Sequence, residues 1–174
     1  MSVVWQDMGW ANIVQHVRHL GELVLEAGIV GSDATDPHGD SGLTNGEIGA
    51  LLEFGTRDGH VPAYHWLRGS LRQQDYLIRW LAEATRSVVA GSSSPEAALG
   101  LVGQRLVHTI KDNISDGLSP DNAPATVAKK GFNFPLVDTG ELVRHISSLV
   151  RKHGAAIGDA GEYDDFVIGA GGDE

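Results

Sequence analysis

The sequence predicts an α+β domain in which a small, mostly antiparallel sheet packs against several helices, including a helical hairpin. Two long segments with apolar residues at helical spacing and several short apolar runs bounded by turn residues lead to this prediction. The predicted strands span 23–30, 143–151 and 164–169. The predicted helices that pack against them span 46–54, 70–90 and 95–116. The whole chain, 1–174, is expected to form one domain with a flexible acidic loop at 32–44 and an acidic C-terminal tail at 159–174.

The first half of the chain alternates between helical and extended patterns. A first amphipathic helix is indicated by the spacing of Trp10, Ile13, Val14, Val17 and Leu20. The apolar run that follows predicts a strand ending at Gly31, although residues 23–28 could also extend the helix. After the acidic loop, Thr44 and Glu47 have the spacing of a capping box, which predicts a short helix that ends at Gly55.

The second half begins with the predicted hairpin. Its first helix is expected to bury Leu71, Ile78, Leu81 and Val88 and to end near Gly91. Its second helix begins at Ser94 and Pro95, which suit the cap and the first helical position. The buried stripe of the second helix is predicted to contain Leu99, Val102, Leu106, Ile110 and Ile114. Residues 141–152 fit either a helix or a strand, and a short terminal strand follows.

Composition excludes several classes of site and partner. The chain is 41% hydrophobic and 21% charged, typical of a soluble globular protein. Its net charge of −10 argues against general attraction to nucleic acid or anionic membranes. No cysteine is present, which excludes disulfides, thiolate zinc sites and a cysteine nucleophile. Without an apolar span or a signal sequence, the protein is expected to act in a cytoplasm or in something assembled there.

Charge is distributed unevenly. Residues 22–58 have a net charge of −7, and residues 154–174 contain six acidic and no basic residues. Residues 129–153 contain five basic and two acidic residues. This arrangement favours charge-complementary contacts between copies or partners, although an ordinary solvated surface explains it as well.

Three short patterns resemble catalytic or metal-binding sequences. Asp138-Thr139-Gly140 is the tripeptide of aspartic proteases, but an enzyme of that class needs two facing carboxylates, and here bulky Glu141 follows within a largely helical chain. Ser41 lies in a GDSG string that is too early for a chymotrypsin-like protease. The acidic loop offers oxygen ligands without the spacing of an EF-hand. We therefore expect no enzyme activity, no metal site and no cofactor, and interpret the DTG tripeptide as a turn.

Two longer stretches, residues 46–71 and 113–150, contain several motifs in a fixed order: EFGT, then VPA and WLR, then PLVDTGEL followed by HIS. In this order they resemble the neck and tail-completion proteins of tailed bacteriophages, often described as virion-morphogenesis, head–tail joining or minor tail component proteins. The resemblance covers roughly residues 23–150. It departs at Tyr64 and His65, where those proteins tend to carry Arg-Pro, and in its longer acidic loop at 32–44 and its acidic tail. The motif residues are Glu53, Phe54, Gly55, Thr56, Pro62, Trp66, Arg68, Pro135, Leu136, Asp138, Thr139, Gly140 and Leu142.

The resemblance implies a structural virion protein rather than an enzyme. Such a protein forms a homo-oligomeric ring, a hexamer or dodecamer, at the head–tail junction, joins the tail to the portal side and lines the passage for DNA without reading its sequence. The implied neighbours are portal-side adaptor or head-closure proteins and tail-tube or tail-terminator proteins, with no membrane involved. Assembly would take place in the cytoplasm of the bacterial host. The alternatives are a tail-assembly factor absent from the virion and, less favoured, a small aspartic-type peptidase.

The basic segment is interpreted as a contact with an acidic neighbour. The residues expected at subunit contacts are Lys129, Lys130, Arg144, Arg151 and Lys152. In the second motif, Pro135 is expected to fix the chain direction, Leu136 to fill an apolar space, and Asp138 to Gly140 to form a tight turn.

Overall fold

The computed structural model describes residues 9–72, 75–133, 135–136 and 140–154, and structural statements below refer to them. The elements in chain order are α1 Trp10–Glu22, β1 Leu23–Gly28, a 3₁₀ helix Gly31–Ala34, α2 Asn45–Phe54, α3 Trp66–Ser70, α4 Asp75–Val89, α5 Pro95–Ser115, α6 Pro124–Lys130, α7 Glu141–Arg144 and β2 Ser147–Lys152. The predicted small α+β fold is confirmed.

The sheet consists of two antiparallel strands within the described residues. Leu23 pairs with Lys152 and Gly28 pairs with Ser147, so residues 23–28 form a strand and do not extend α1. The prediction of a strand over 143–151 was wrong for its beginning, because residues up to Arg144 belong to α7 and the strand begins at Ser147. The predicted third strand, 164–169, and the acidic tail lie outside the described residues.

Helix α5 is the centre of the core. All five residues of its predicted stripe are buried, from 0% exposure at Ile114 to 7% at Leu99 and Leu106. Its N-terminus also matches the prediction: the Ser94 hydroxyl accepts the Ala97 N–H at 3.2 Å. A Cβ at Gly103 would lie 2.5 Å from Ser148 Oγ, so the absence of a side chain there lets α5 approach the sheet closely.

Helix α4 forms the predicted hairpin with α5 but shows a different face to the core than the sequence suggested. Val88 is fully buried, whereas Ile78 is 64% exposed. The face toward the core contains Leu77, Trp80, Ala84 and Val88. The half-buried Leu77 and Trp80 pack against this cluster, whereas Leu81, which the sequence placed in the buried face, is 38% exposed. A large indole removes more apolar area from water than an isoleucine side chain, which favours the face that contains Trp80. Leu71 lies outside α4, which begins at Asp75, but it packs against the same cluster.

Helix α1 has the predicted amphipathic pattern, yet none of its residues, all of which the structure describes, is buried. It is connected to the start of α5 by a hydrogen bond between His19 Nε2 and Glu96 Oε1. Burial alone would raise the pKa of Glu96, but hydrogen bonds from its own backbone N–H and from His19 outweigh this and lower it. Among the described residues, no helix is long and apolar enough to cross a membrane.

Candidate functional site

Glu53, the first residue of the EFGT motif, connects α2 to α3. Its carboxylate is almost fully buried and accepts the backbone N–H of Leu67 at 2.8 Å and of Arg68 at 3.3 Å. The Arg68 Nε lies 3.6 Å from Glu53 Oε1. The first N–H groups of a helix lack partners within the helix, and a carboxylate next to them is stabilising. Glu53 therefore caps α3 from a different helix.

Gly55 and Thr56 form the turn after α2 and contact the segment that leads into α3. The Thr56 N–H donates to Val61 O, and the Val61 N–H donates to Thr56 Oγ1, both at 2.9 Å. Asp58 lies in the same turn, where the Thr56 hydroxyl and the His60 N–H lower its pKa. Gly55 has φ 72° and ψ 178°, and a Cβ there would lie 2.8 Å from Ala63 N and Val61 O. The position thus requires glycine for its backbone angles and for space.

Trp66 anchors α3 to two other helices. Its side chain is 3% exposed, and its Nε1 donates to Gly49 O in α2 at 2.9 Å. Its carbonyl oxygen accepts from Asn113 Nδ2 in α5, also at 2.9 Å. Pro62 is half-buried beside Gly55. We refer to α2, α3 and the connecting residues 55–65 as the α2–α3 unit.

An aromatic ring and a guanidinium group of the α2–α3 unit are exposed to solvent. Phe54 is 65% exposed, and the Arg68 guanidinium carbon lies 5.5 Å from the centroid of its ring. The Arg68 side chain is itself 58% exposed. Because Glu53 fixes the Arg68 backbone, this pair is held in place by buried contacts while its outer surface is available for binding.

The departure from the phage pattern at Tyr64 and His65 has a structural counterpart. His65 has φ 50°, in the left-handed region, and its Nδ1 is buried without a hydrogen-bond partner among the described residues. Proline is restricted to φ near −65° and cannot adopt this conformation. The turn before α3 therefore differs from one that contains Arg-Pro. Burial raises the pKa of Tyr64.

The second motif packs against the same core cluster as the first. Leu136 contacts the cluster that contains Trp66, Ile114 and Ile146, although its φ of 61° is unusual for a branched residue. Pro135 and Leu142 are buried, and Gly140, with φ 75°, precedes α7. Asp138 and Thr139 lie outside the described residues, so their assignment to a turn stays a prediction. The apolar parts of both motifs therefore meet in one cluster.

The acidic segment 32–44 is connected to the rest of the fold by side chains that the sequence did not single out. Asp33 accepts a hydrogen bond from Ser147 Oγ at 3.3 Å and lies 3.4 Å from His145 Nδ1. Asn45 is fully buried, and its Oδ1 lies 2.7 Å from His38 Nδ1. These partners are distant in sequence, and no motif predicts them. Asp33 thus has a packing role in addition to its charge.

Ser41, the residue that resembles a serine nucleophile, makes a hydrogen bond within the same segment. The Ser41 hydroxyl donates to His38 O at 2.7 Å. Glu141 Oε1 accepts the Gly39 N–H at 3.2 Å, which connects the segment to α7. In the part of the chain that the structure describes, no three His, Asp or Glu side chains are grouped to hold a metal ion.

The basic residues predicted at subunit contacts differ in their surroundings. Arg151 Nε donates to Glu26 Oε1 across the two strands at 3.0 Å, and this raises the pKa of Arg151. Its charge is therefore engaged within the chain. Lys129 and Lys130 occupy the last turn of α6, and Lys130 Nζ lies 5.1 Å from the ring centroid of Phe132. The exposed members of the set are Lys129, Arg144 and Lys152.

Comparison of the chain with known protein families, curated proteins and solved structures finds no match. A functional proposal therefore rests on the motifs of this sequence and on the contacts of the residues that form them.

Proposed function

We propose that this protein is a structural component of a tailed-bacteriophage virion, located in the neck at the head–tail junction. There it forms a homo-oligomeric ring, joins the tail to the portal side and lines the passage for DNA. The ring contacts a portal-side adaptor or head-closure protein on one side and a tail-tube or terminator protein on the other.

The strongest support for this proposal is that the motif residues have structural roles in the fold. Glu53, Gly55 and Trp66 act in capping, turn formation and anchoring. Leu136 from the second motif packs against the same cluster. Residues used in this way define a shape, and a shape that positions Phe54 and Arg68 at the surface suits assembly with other proteins.

The charge of the protein fits the same role. An acidic surface that lines a DNA passage would repel the phosphate backbone and keep DNA from adhering during ejection. Asp116 and Asp121 are exposed, lie far in sequence from α2 and are suitable for a test. Asp33 is unsuitable, because it accepts a hydrogen bond from Ser147 and its loss would disturb the fold. Replacing Asp116 and Asp121 with Asn should leave particles assembled but alter DNA ejection, and unchanged ejection would refute this part of the proposal.

Disruption of the gene in the parent phage, followed by electron microscopy of lysates, tests the function. We expect packed heads and separate tails that fail to join, and restored particles when the wild-type gene is supplied. Normal infectious particles would refute a role in the neck. An Asp138→Asn variant that restores joining as well as the wild type would exclude a peptidase based on Asp138. Mass spectrometry of purified virions separates a structural component from an assembly factor that leaves the particle.

A further inference from the structure

The two ends of α2 carry surfaces of different chemistry. The helix has ten residues and is therefore about 15 Å long. Before its N-terminus, Asp36 and Asp40 are exposed, and Leu43 is 39% exposed. We refer to these three residues as the acidic end. At the C-terminus, Phe54 is 65% exposed, and we refer to Phe54, Arg57 and Arg68 as the aromatic end.

Both ends are held by hydrogen bonds of the described residues. At the acidic end, Pro37 and Thr44 form a β-bridge, and the His38 N–H donates to Leu43 O at 2.8 Å. A complete capping box at Thr44 and Glu47 fixes the start of α2. Preformed surfaces lose less conformational entropy when they bind, so both ends are suited to protein contacts.

The aromatic end is fixed in the same manner. Glu53 holds the start of α3, and the Arg68 guanidinium lies over the Phe54 ring. The one acidic side chain in the neighbouring turn, Asp58, accepts the His60 N–H at 3.0 Å. Aromatic and arginine side chains contribute most of the binding energy in many interfaces.

The two ends are complementary to each other. Each contains one large exposed apolar side chain, Leu43 or Phe54. The acidic end exposes two carboxylates, Asp36 and Asp40, whereas the aromatic end exposes two guanidinium groups and one carboxylate. Since buried Glu53 lies 3.6 Å from Arg68, Arg57 is the guanidinium whose charge complements the acidic end. We propose that copies of this protein contact each other head to tail, with the aromatic end of one copy against the acidic end of the next. Unlike surfaces give a heterologous contact, which closes into a ring if the rotation between copies permits. The ring rests on the proposed function, whereas the contact itself can be tested on purified protein.

Disulfide trapping tests the contact directly, because the chain contains no cysteine. A double variant, Leu43→Cys with Phe54→Cys, should form a ladder of covalent oligomers under mild oxidation. Within one chain the two positions are separated by the length of α2, well beyond the roughly 7 Å that a disulfide can bridge. Each single variant should stay monomeric on a denaturing gel. Dimers of Phe54→Cys alone would show a two-fold contact instead, and absence of a ladder from the double variant would equally overturn the proposal.

A matched pair of surface substitutions separates this contact from general stickiness. Phe54 and Ile78 are 65% and 64% exposed, but Ile78 lies on α4, outside both ends. In sedimentation velocity, Phe54→Asp should weaken self-association about tenfold or more, the range of a modest interface hot spot. Ile78→Asp should leave it unchanged. Equal loss in both variants would contradict the proposed location.

Charge reversal provides the specificity test. Arg57→Glu and Asp40→Lys should each weaken self-association, and a mixture of the two variants should associate through the restored pair. No recovery in the mixture would argue against this pairing. Trapped oligomers together with normal phage lacking the gene would leave the contact standing and refute the function. Defective phage without trapped oligomers would support the function and refute the contact.

Discussion

Replacing Gly55 with alanine should destabilise the protein far more than the same change four residues later. Gly55 combines φ 72° with ψ 178°, a region that essentially only glycine occupies, at a cost of about 1–3 kcal/mol for other residues. The added Cβ would also lie 2.8 Å from two backbone atoms, Ala63 N and Val61 O, which cannot rotate away. Such overpacking costs roughly 1–3 kcal/mol.

The lower entropy of the unfolded alanine chain offsets about 0.4–1 kcal/mol of this cost. We therefore expect Gly55→Ala to lower the free energy of unfolding by roughly 3 kcal/mol. The matched control is Gly59→Ala, where φ is 73° but no atom lies within 4 Å of the added Cβ. Backbone strain alone should cost about 1 kcal/mol there.

Urea unfolding followed by circular dichroism measures both losses. In a thermal scan, the difference of about 2 kcal/mol should separate the two midpoints by roughly 4–8 °C. Equal losses in the two variants would refute the argument that close approach to the 61–63 backbone makes Gly55 necessary. No loss in Gly55→Ala would refute both parts of it.

Three further predictions, one with a matched control, test the core and its polar contacts. Glu53→Gln should cost about 2 kcal/mol in urea unfolding, because the charge that strengthens two hydrogen bonds to α3 is removed; an unchanged midpoint would contradict its role as a cap. Ile110→Ala, at 1% exposure, should cost about 3 kcal/mol, whereas Leu101→Ala, at 56% exposure, should change stability by less than about 0.5 kcal/mol. The lowered pKa of Glu96 means that its carboxylate stabilises the fold above its ordinary pKa, and that this contribution disappears as the pH falls through the lowered value. The difference in unfolding free energy between wild type and Glu96→Gln should therefore be present at neutral pH and shrink in acid, and a difference independent of pH would contradict the assignment.

The hairpin shows which parts of the fold could be read from the sequence. Helix α5 was predicted well because its apolar residues have one unambiguous spacing and its cap residues are local. In α4, apolar side chains lie on more than one face of the helix, at Leu77, Ile78, Trp80 and Leu81. Packing against α5 and the sheet selects the face with Trp80, and periodicity within one helix does not contain that information.

In the candidate site, too, the sequence predicts which residues matter but not all of their contacts. The order of the motifs identified Glu53, Gly55 and Trp66 as important, but their roles depend on partners elsewhere in the chain. Glu53 caps a helix that begins thirteen residues later, and Trp66 bonds to Gly49 in the preceding helix. The bond between Asp33 and Ser147 joins residues more than a hundred positions apart. Short-range patterns predict local caps and turns, whereas such contacts arise only when the chain is folded.

The lack of buried side chains in α1 has a consequence for how the native state opens. An isolated helix of thirteen residues is marginal in water, so α1 depends on half-buried contacts, its continuation into β1 and the His19–Glu96 bond. Its backbone amides should exchange with deuterium through local opening, while those of α5 exchange only when the whole domain unfolds. We therefore expect the N-terminal helix to detach and dock again while the core around α5 stays intact.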